Sequence, residues 1–242
     1  VLEANGVYGV SIERVSGSLT DHYDPRANVI RLSESVYHAT SPAAIGVAAH
    51  EAGHAIATKI IQPDESVHQI SIIPAGMAGG YTMPLPTEDK SYNSRNEMIE
   101  SIVVDLGGRV AEAIILDDIS TGASNDIEKA TKTARAMVTK YGMTKELGCI
   151  NYGSEDGSVF LGRDYGRTQD YSEATAAKID ELVLKIVNNA YERAEAILLE
   201  NIDKLHEIAA YLMKHEKMGA EDFEKVMNGT YIEPFELEED EE

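Results

Sequence analysis

The stretch SPAAIGVAAHEAGHAIATKIIQP, residues 41–63, decides how the rest of the chain is read. Ser41 is a favourable N-cap, Pro42 fits the first helical position, and Pro63 ends the run. Between them Ala48, Ala49, Ala52, Ala55 and Ile56 surround a polar centre with small or apolar neighbours, which predicts a buried helix over about 42–61. That centre is His50-Glu51-Ala52-Gly53-His54, an HExxH pattern. Residues four apart share one helical face, so both imidazoles can reach one Zn²⁺ at about 2.0–2.1 Å. Glu51, between them, lies beside the metal, where a carboxylate can take a proton from a zinc-bound water. The motif points to metal-assisted hydrolysis of peptide bonds, with His50 and His54 as ligands and Glu51 as the base.

Of the 242 residues, 43% are hydrophobic and 26% are charged, as in a soluble globular protein able to bury a sizeable core. A formal charge of −21 argues against nucleic acid or an anionic membrane surface as the partner. Cys149 is the only cysteine, so no intrachain disulfide forms; between Gly148 and Ile150 it reads as a small core residue. No run approaches the ~18 apolar residues of a membrane-spanning helix, and no signal peptide is visible. The chain opens on Val1 rather than Met, so an upstream membrane anchor or partner unfoldase stays among the expectations. The cytoplasm is the expected location.

Residues 7–15 and 28–32 carry β-branched residues in partial alternation around Gly17, Asp21, Asp24 and Pro25, which predicts a β-hairpin segment over 1–40 or a pair of short strands with a long connection. Beyond the motif helix, 67–73 reads as a strand. Residues 80–85 read as a second strand at a sheet edge, since Pro84 and Pro86 cannot donate to a ladder. The pair Gly79-Gly80 marks the close approach of another backbone. Helical periodicity returns over 94–115, and Ser124 or Asn125 is placed to cap a helix reaching about Lys140. The longest apolar stripe, from Ile179 to Leu198, lies within 171–199, and helices near 202–215 and 219–227 follow it. Seven carboxylates in the last ten residues predict a disordered acidic tail over 233–242. The expected fold is α+β and predominantly helical, with a small N-terminal sheet, a zincin-like HExxH helix and a C-terminal helical bundle.

A catalytic zinc takes three protein ligands and leaves a position open for water. Glu112, in GGRVAEAII, and Asp126, in STGASNDIEKAT, can each face the metal from a neighbouring helix, and spacing alone does not choose between them.

The blocks HEAGHAIATKI, VHQISIIPAG, DLGGRVAEAII, STGASNDIEKATKTARAMVTKYGM and GSVFLGRD, with the final helices, resemble the peptidase domain of the FtsH family. The resemblance runs over about 47–228 and implies a peptidase domain spanning 41–232. It implies that Asp126 joins His50 and His54 on zinc and that Glu112 supports a histidine from behind. It also implies that the strand Gly79, Gly80, Tyr81, Thr82, Met83 receives an unfolded polypeptide or peptide substrate as an added β-strand. A ring of six copies is implied as well. FtsH proteins carry membrane helices and an ATPase module, whereas no GxxxxGK[ST] loop occurs in this sequence. ATP is therefore not an expected ligand, and the expected substrates are unfolded or loosely folded chains. The part over about 6–49 resembles instead the membrane-associated neutral zinc metallopeptidases, so two resemblances meet at the HExxH motif. The rival readings are an inactive scaffold around a structural zinc and a strand-capturing module that does not cut. A structural zinc needs no base, so the glutamate between the histidines speaks against the first.

Overall fold

In the computed structural model the described residues are 11–15, 22–24, 29–33, 42–74, 79–87, 92–152 and 171–230. The chain divides into two units, Val1–Ser41 and Pro42–Glu242. In the first, β1 (Ser11–Val15), β2 (His22–Asp24) and β3 (Val29–Ser33) form a sheet of order β1-β3-β2. β1 and β3 run parallel, with Ser11 opposite Val29, while β2 pairs antiparallel with β3. The two segments therefore pair in parallel, as two short strands with a long connection rather than as a hairpin, and the antiparallel partner of β3 is a short strand in the stretch read as turn. Side-chain alternation has the same period in both pairings, so it could not reveal strand direction.

The second unit is built on the motif helix α1 (Pro42–Ile61), with the bounds the two prolines predicted. It packs against α2 (Arg95–Leu116), whose start is fixed by a capping box. The Glu97 backbone N–H donates to Ser94 Oγ at 3.2 Å, and the Ser94 N–H donates to Glu97 Oε2 at 2.7 Å. Ala48, Ala52, Ala55 and Ile56 of α1 and Ile102, Val103, Leu106, Val110 and Ala111 of α2 are buried in one core. Each large aliphatic side chain in it contributes about 1.5–3 kcal/mol by leaving water. Helix α3 (Ser124–Thr139) and the long α4 (Glu173–Glu200) close over α2. On α4 the apolar stripe is buried at Ile179, Leu182, Val183, Ala190, Ala194, Ile197 and Leu198, as its period required. Helices α5 (Ile202–His215) and α6 (Ala220–Met227) complete the bundle around Leu205, Ile208, Leu212 and Phe223.

A second sheet lies against α1, in the order β5-β4-β6, from β4 (Glu65–Ser71), β5 (Tyr81–Pro86) and β6 (Lys217–Gly219). β5 is an edge strand, with Pro84 opposite Val67 and Pro86 opposite Glu65. The three residues of β6 are too few to show a period in sequence, which is why this strand was not expected.

Two local expectations fail. Cys149 is exposed rather than a core residue. It follows Gly148, at φ 66°, in a turn segment that belongs to no helix or strand and so has no buried face to enter. Neither Ser124 nor Asn125 caps α3: the N-cap is Ala123, with no side-chain cap hydrogen bond, and both residues sit inside the first turn. The side chain of Ser41, the block GSVFLGRD and the acidic stretch 233–242 lie outside the described residues. Among the described residues no helix is long and apolar enough to cross a membrane.

Candidate active site

Three helices bring the chemistry together. Helix α1 supplies His50, Glu51 and His54; α2 runs across them; and the first turn of α3 supplies Asp126. Close approach of α1 and α2 is possible because glycines face each other at the crossing. A Cβ on Gly107 would lie 2.9 Å from the Gly53 carbonyl oxygen. Beside it, a Cβ on Gly108 would lie 2.6 Å from His50 Nε2 and from His54 Nε2. The two imidazoles therefore occupy volume that any other residue at Gly108 would fill.

Both Nδ1 atoms are engaged away from the centre. His54 Nδ1 lies 2.8 Å from the Val104 carbonyl oxygen, which can only accept, so Nδ1 carries the hydrogen. His50 Nδ1 donates to Glu112 Oε1 at 2.7 Å, and the other oxygen of Glu112 accepts the Ser120 backbone N–H at 2.9 Å. With their Nδ1 hydrogens fixed, both rings turn Nε2 towards Asp126. The two Nε2 atoms are 3.0 Å apart, and Asp126 Oδ2 lies 3.3 Å from that of His50 and 3.5 Å from that of His54. Donors held at 2.0–2.1 Å around a tetrahedral zinc lie about 3.3–3.4 Å from one another, so this triangle has the dimensions of three sites of such a shell. Two neutral imidazoles would aim lone pairs at one point beside a carboxylate, an arrangement that calls for a cation.

The electrostatics agree. Burial alone would lower the His50 imidazole, but its hydrogen bond with Asp126 and the charges of Glu51 and Glu112 outweigh it and raise His50 above the ordinary value. Burial would raise the Asp126 carboxyl, yet hydrogen bonds from His50, His54 and Lys129 hold it well below the usual carboxylate range. Lys129 Nζ donates to Asp126 Oδ1 at 3.1 Å, leaving Oδ2 for the histidines. Glu51 is pushed up by burial, against the pull of His54, Thr82 and His50. Its place at 5% exposure, between the two histidines, suits a group that must hold and release a proton.

His50, His54 and Asp126 thus form one cluster, Glu51 stands beside it, and Glu112 touches His50 from behind. Gly79, Gly80, Tyr81 and Thr82 line the same cleft as the histidines, whereas Met83 is turned to the surface at 40% exposure. Reading the sequence missed two contributors, Gly108, which makes room for both rings, and Ser120, whose backbone N–H ties Glu112 to the loop before α3; Thr82 was expected only as part of the substrate strand, and its hydroxyl meets Glu51. The adjacent glycines inside a helical pattern were a signal for the first, since each costs about 1 kcal/mol there relative to alanine and so has a packing reason.

Comparison with known proteins follows the same residues. The model of peptidase family M41 matches residues 40–226. The chain is 57% identical over 187 residues to ATP-dependent zinc metalloprotease FtsH 1 of Thermoanaerobacter sp. (strain X514), covering 77% of this chain and 31% of that protein. It is 54% identical over 178 residues to ATP-dependent zinc metalloprotease FtsH of Caldicellulosiruptor bescii, covering 74% of this chain and 29% of the relative. Against the protein of the same name from Bacillus subtilis (strain 168) the identity is 45% over 189 residues, covering 77% and 30%. The matches thus span less than a third of the length of these relatives.

Proposed function

The chain belongs to peptidase family M41, and on that premise we propose that it is a zinc-dependent endopeptidase acting on unfolded or loosely folded polypeptides. The observation that carries the proposal is the convergence of two imidazole nitrogens and one carboxylate oxygen at 3.0–3.5 Å, with every Nδ1 engaged elsewhere. In this reading His50, His54 and Asp126 hold the metal. Bound zinc supplies an acidified water and a Lewis acid for the scissile carbonyl. Glu51 takes a proton onto its carboxylate and later delivers it to the leaving amine. Glu112 holds the His50 ring so that Nε2 faces the centre.

The exposed edge of β5 receives the substrate backbone as an added strand over Gly79–Met83, which selects extended chains over folded domains. The 242 residues contain no GxxxxGK[ST] loop, and the proposed reaction uses no ATP. A homohexameric ring and a cytoplasmic location, with any membrane anchor or unfoldase supplied by residues outside this sequence, rest on the family resemblance.

The test is cleavage of casein with and without a zinc chelator, beside the Glu51→Gln variant. The expected result is chelator-sensitive cleavage, and a Glu51→Gln protein that keeps its zinc and loses about 10²–10⁴ in rate. Cleavage that survives both treatments would overturn the reading.

A further inference from the structure

The edge strand that the proposed function gives to the substrate also touches the base. Thr82 Oγ1 lies 2.8 Å from Glu51 Oε2 and 3.0 Å from the Glu51 carbonyl oxygen. Two residues earlier, just before β5 begins, Gly80 presses its backbone onto the same carboxylate. A Cβ at that position would stand 2.9 Å from Glu51 Oε1, 3.0 Å from its Cγ and 2.7 Å from the Ser71 carbonyl oxygen. Gly80 and Thr82 thus flank the two oxygens of Glu51, the first by close approach of its backbone and the second by a hydrogen bond. Between these two residues Tyr81 points the other way, its hydroxyl donating to Gln69 Oε1 at 2.7 Å across the ladder.

We propose that Thr82 is a positioning residue for the general base, setting the direction in which the Glu51 carboxylate points. This inference rests on the reading of Glu51 as the base. A hydroxyl has one hydrogen and two lone pairs. While Glu51 is a carboxylate, Thr82 donates to Oε2, which fixes the rotation of the carboxylate about its last bond. The same contact makes the base part of the sheet edge on which the substrate lies, so substrate backbone and base are aligned by one element.

The experiment compares Thr82→Val and Thr82→Ser in the full chain, reading kcat and KM on an unfolded peptide substrate, and zinc content by metal analysis. Valine keeps the shape and the strand preference but has no hydroxyl, while serine restores the hydroxyl. The expected outcome for valine is a kcat lowered about 10–100-fold, with KM and zinc content unchanged, the range typical of groups that act through another. Serine recovers activity to within about threefold of the parent, on the basis that its hydroxyl reaches the same acceptors. A valine variant at parental kcat, a loss wholly in KM, or serine failing as badly as valine would each overturn the proposal. A zinc-loaded parent chain that does not cut, or cuts as fast with Glu51→Gln, instead overturns the reading of Glu51 and this inference with it.

Discussion

His50 and Glu51 are consecutive in the chain, yet different parts of the molecule hold them. His50 is gripped from the helical side, by Glu112 of α2 behind it and Asp126 of α3 in front. Glu51 is gripped from the sheet side, by Thr82 of β5 and by Gly80 just before it. The helical side is closed: its glycines let backbones meet, and each ring nitrogen has an assigned partner. The sheet side is open, with Met83 and Leu85 at 40% and 43% exposure on an edge strand. On the proposed metal side folding completes the geometry, and His50, Asp126 and His54 keep 12%, 13% and 14% side-chain exposure towards the cleft. A substrate must come and go, so a free edge suits the wall proposed to meet it. One helix can serve both because neighbouring residues lie about 100° apart around its axis.

If that contrast is sound, the same substitution on the two sides must have very different effects. The largest effect is expected at Gly108. Alanine there puts a Cβ 2.6 Å from ring atoms of both His50 and His54, inside contact distance, whereas alanine at Gly79 meets only Val47 Cγ2 at 3.4 Å. Overpacking of a tight core costs about 1–3 kcal/mol, and here the groups that must move are the proposed ligands. Gly108→Ala is expected to lower zinc affinity at least ~100-fold by the argument from displaced ligands, with cleavage lost alongside. Gly79→Ala should leave zinc affinity within about twofold, as for a surface change with ordinary contacts. Zinc titration with a competing chelator reads the difference. Equal affinities in the two variants would erase the distinction between a closed side and an open one.

Within the closed side the residues that face the metal position should outrank those behind them. Asp126→Ala is expected to lose zinc nearly as badly as His54→Ala, because each removes one corner of the 3.0–3.5 Å triangle. Glu112→Ala leaves all three corners and frees only the back of the His50 ring, together with the Ser120 N–H, so about 10–100-fold in affinity is expected. Full zinc occupancy in the Asp126→Ala protein would remove it from the ligand set.

The same contrast explains what could be read from the sequence. The helical side was legible because its signals are local and periodic. Two prolines bracket α1, the i, i+4 histidines lie on one face of it, and the stripe from Ile179 to Leu198 could only be a buried helix face. Edge placement of β5 was legible from Pro84 and Pro86. What connects these elements was not. Spacing left Glu112 and Asp126 as equals, because the choice depends on how α3 docks across α2, a non-local contact. Thr82 was expected only as part of the substrate strand, since nothing in its neighbours says that the next layer holds Glu51. The direction of β1 against β3 was hidden for the same reason, and Cys149 was misplaced because small neighbours do not by themselves make a core.

The smallest effect expected concerns a carboxyl that shares the helical wall without belonging to the triangle. Asp105 of α2 lines the cleft near Asp126 and Lys129. Burial pushes its pKa up from the model-peptide value of 3.8 to about 6, with Asp126 adding to the rise and Lys129 and His54 opposing it. Because the value is higher folded than unfolded, the folded chain binds the extra proton between about pH 4 and pH 6. Asp105 is therefore harmless below that window, and its charge destabilises the metal-free protein increasingly as pH rises through it. The full shift would be worth at most about 3 kcal/mol, and partial exposure reduces that to about 1 kcal/mol. Asp105→Asn, neutral at every pH, should raise the Tm of the metal-free chain by about 2–4 °C at pH 7.5 and leave it unchanged near pH 4. Bound zinc is a nearby cation that favours the charged carboxylate, so saturating the site with metal should shrink the gain at pH 7.5. Thermal melts of parent and variant at both pH values, with zinc and with chelator, make the comparison. A gain of equal size at both pH values, or a lower Tm at pH 7.5, would mean that Asp105 keeps a packing or hydrogen-bonding role in the closed wall rather than an unrelieved charge.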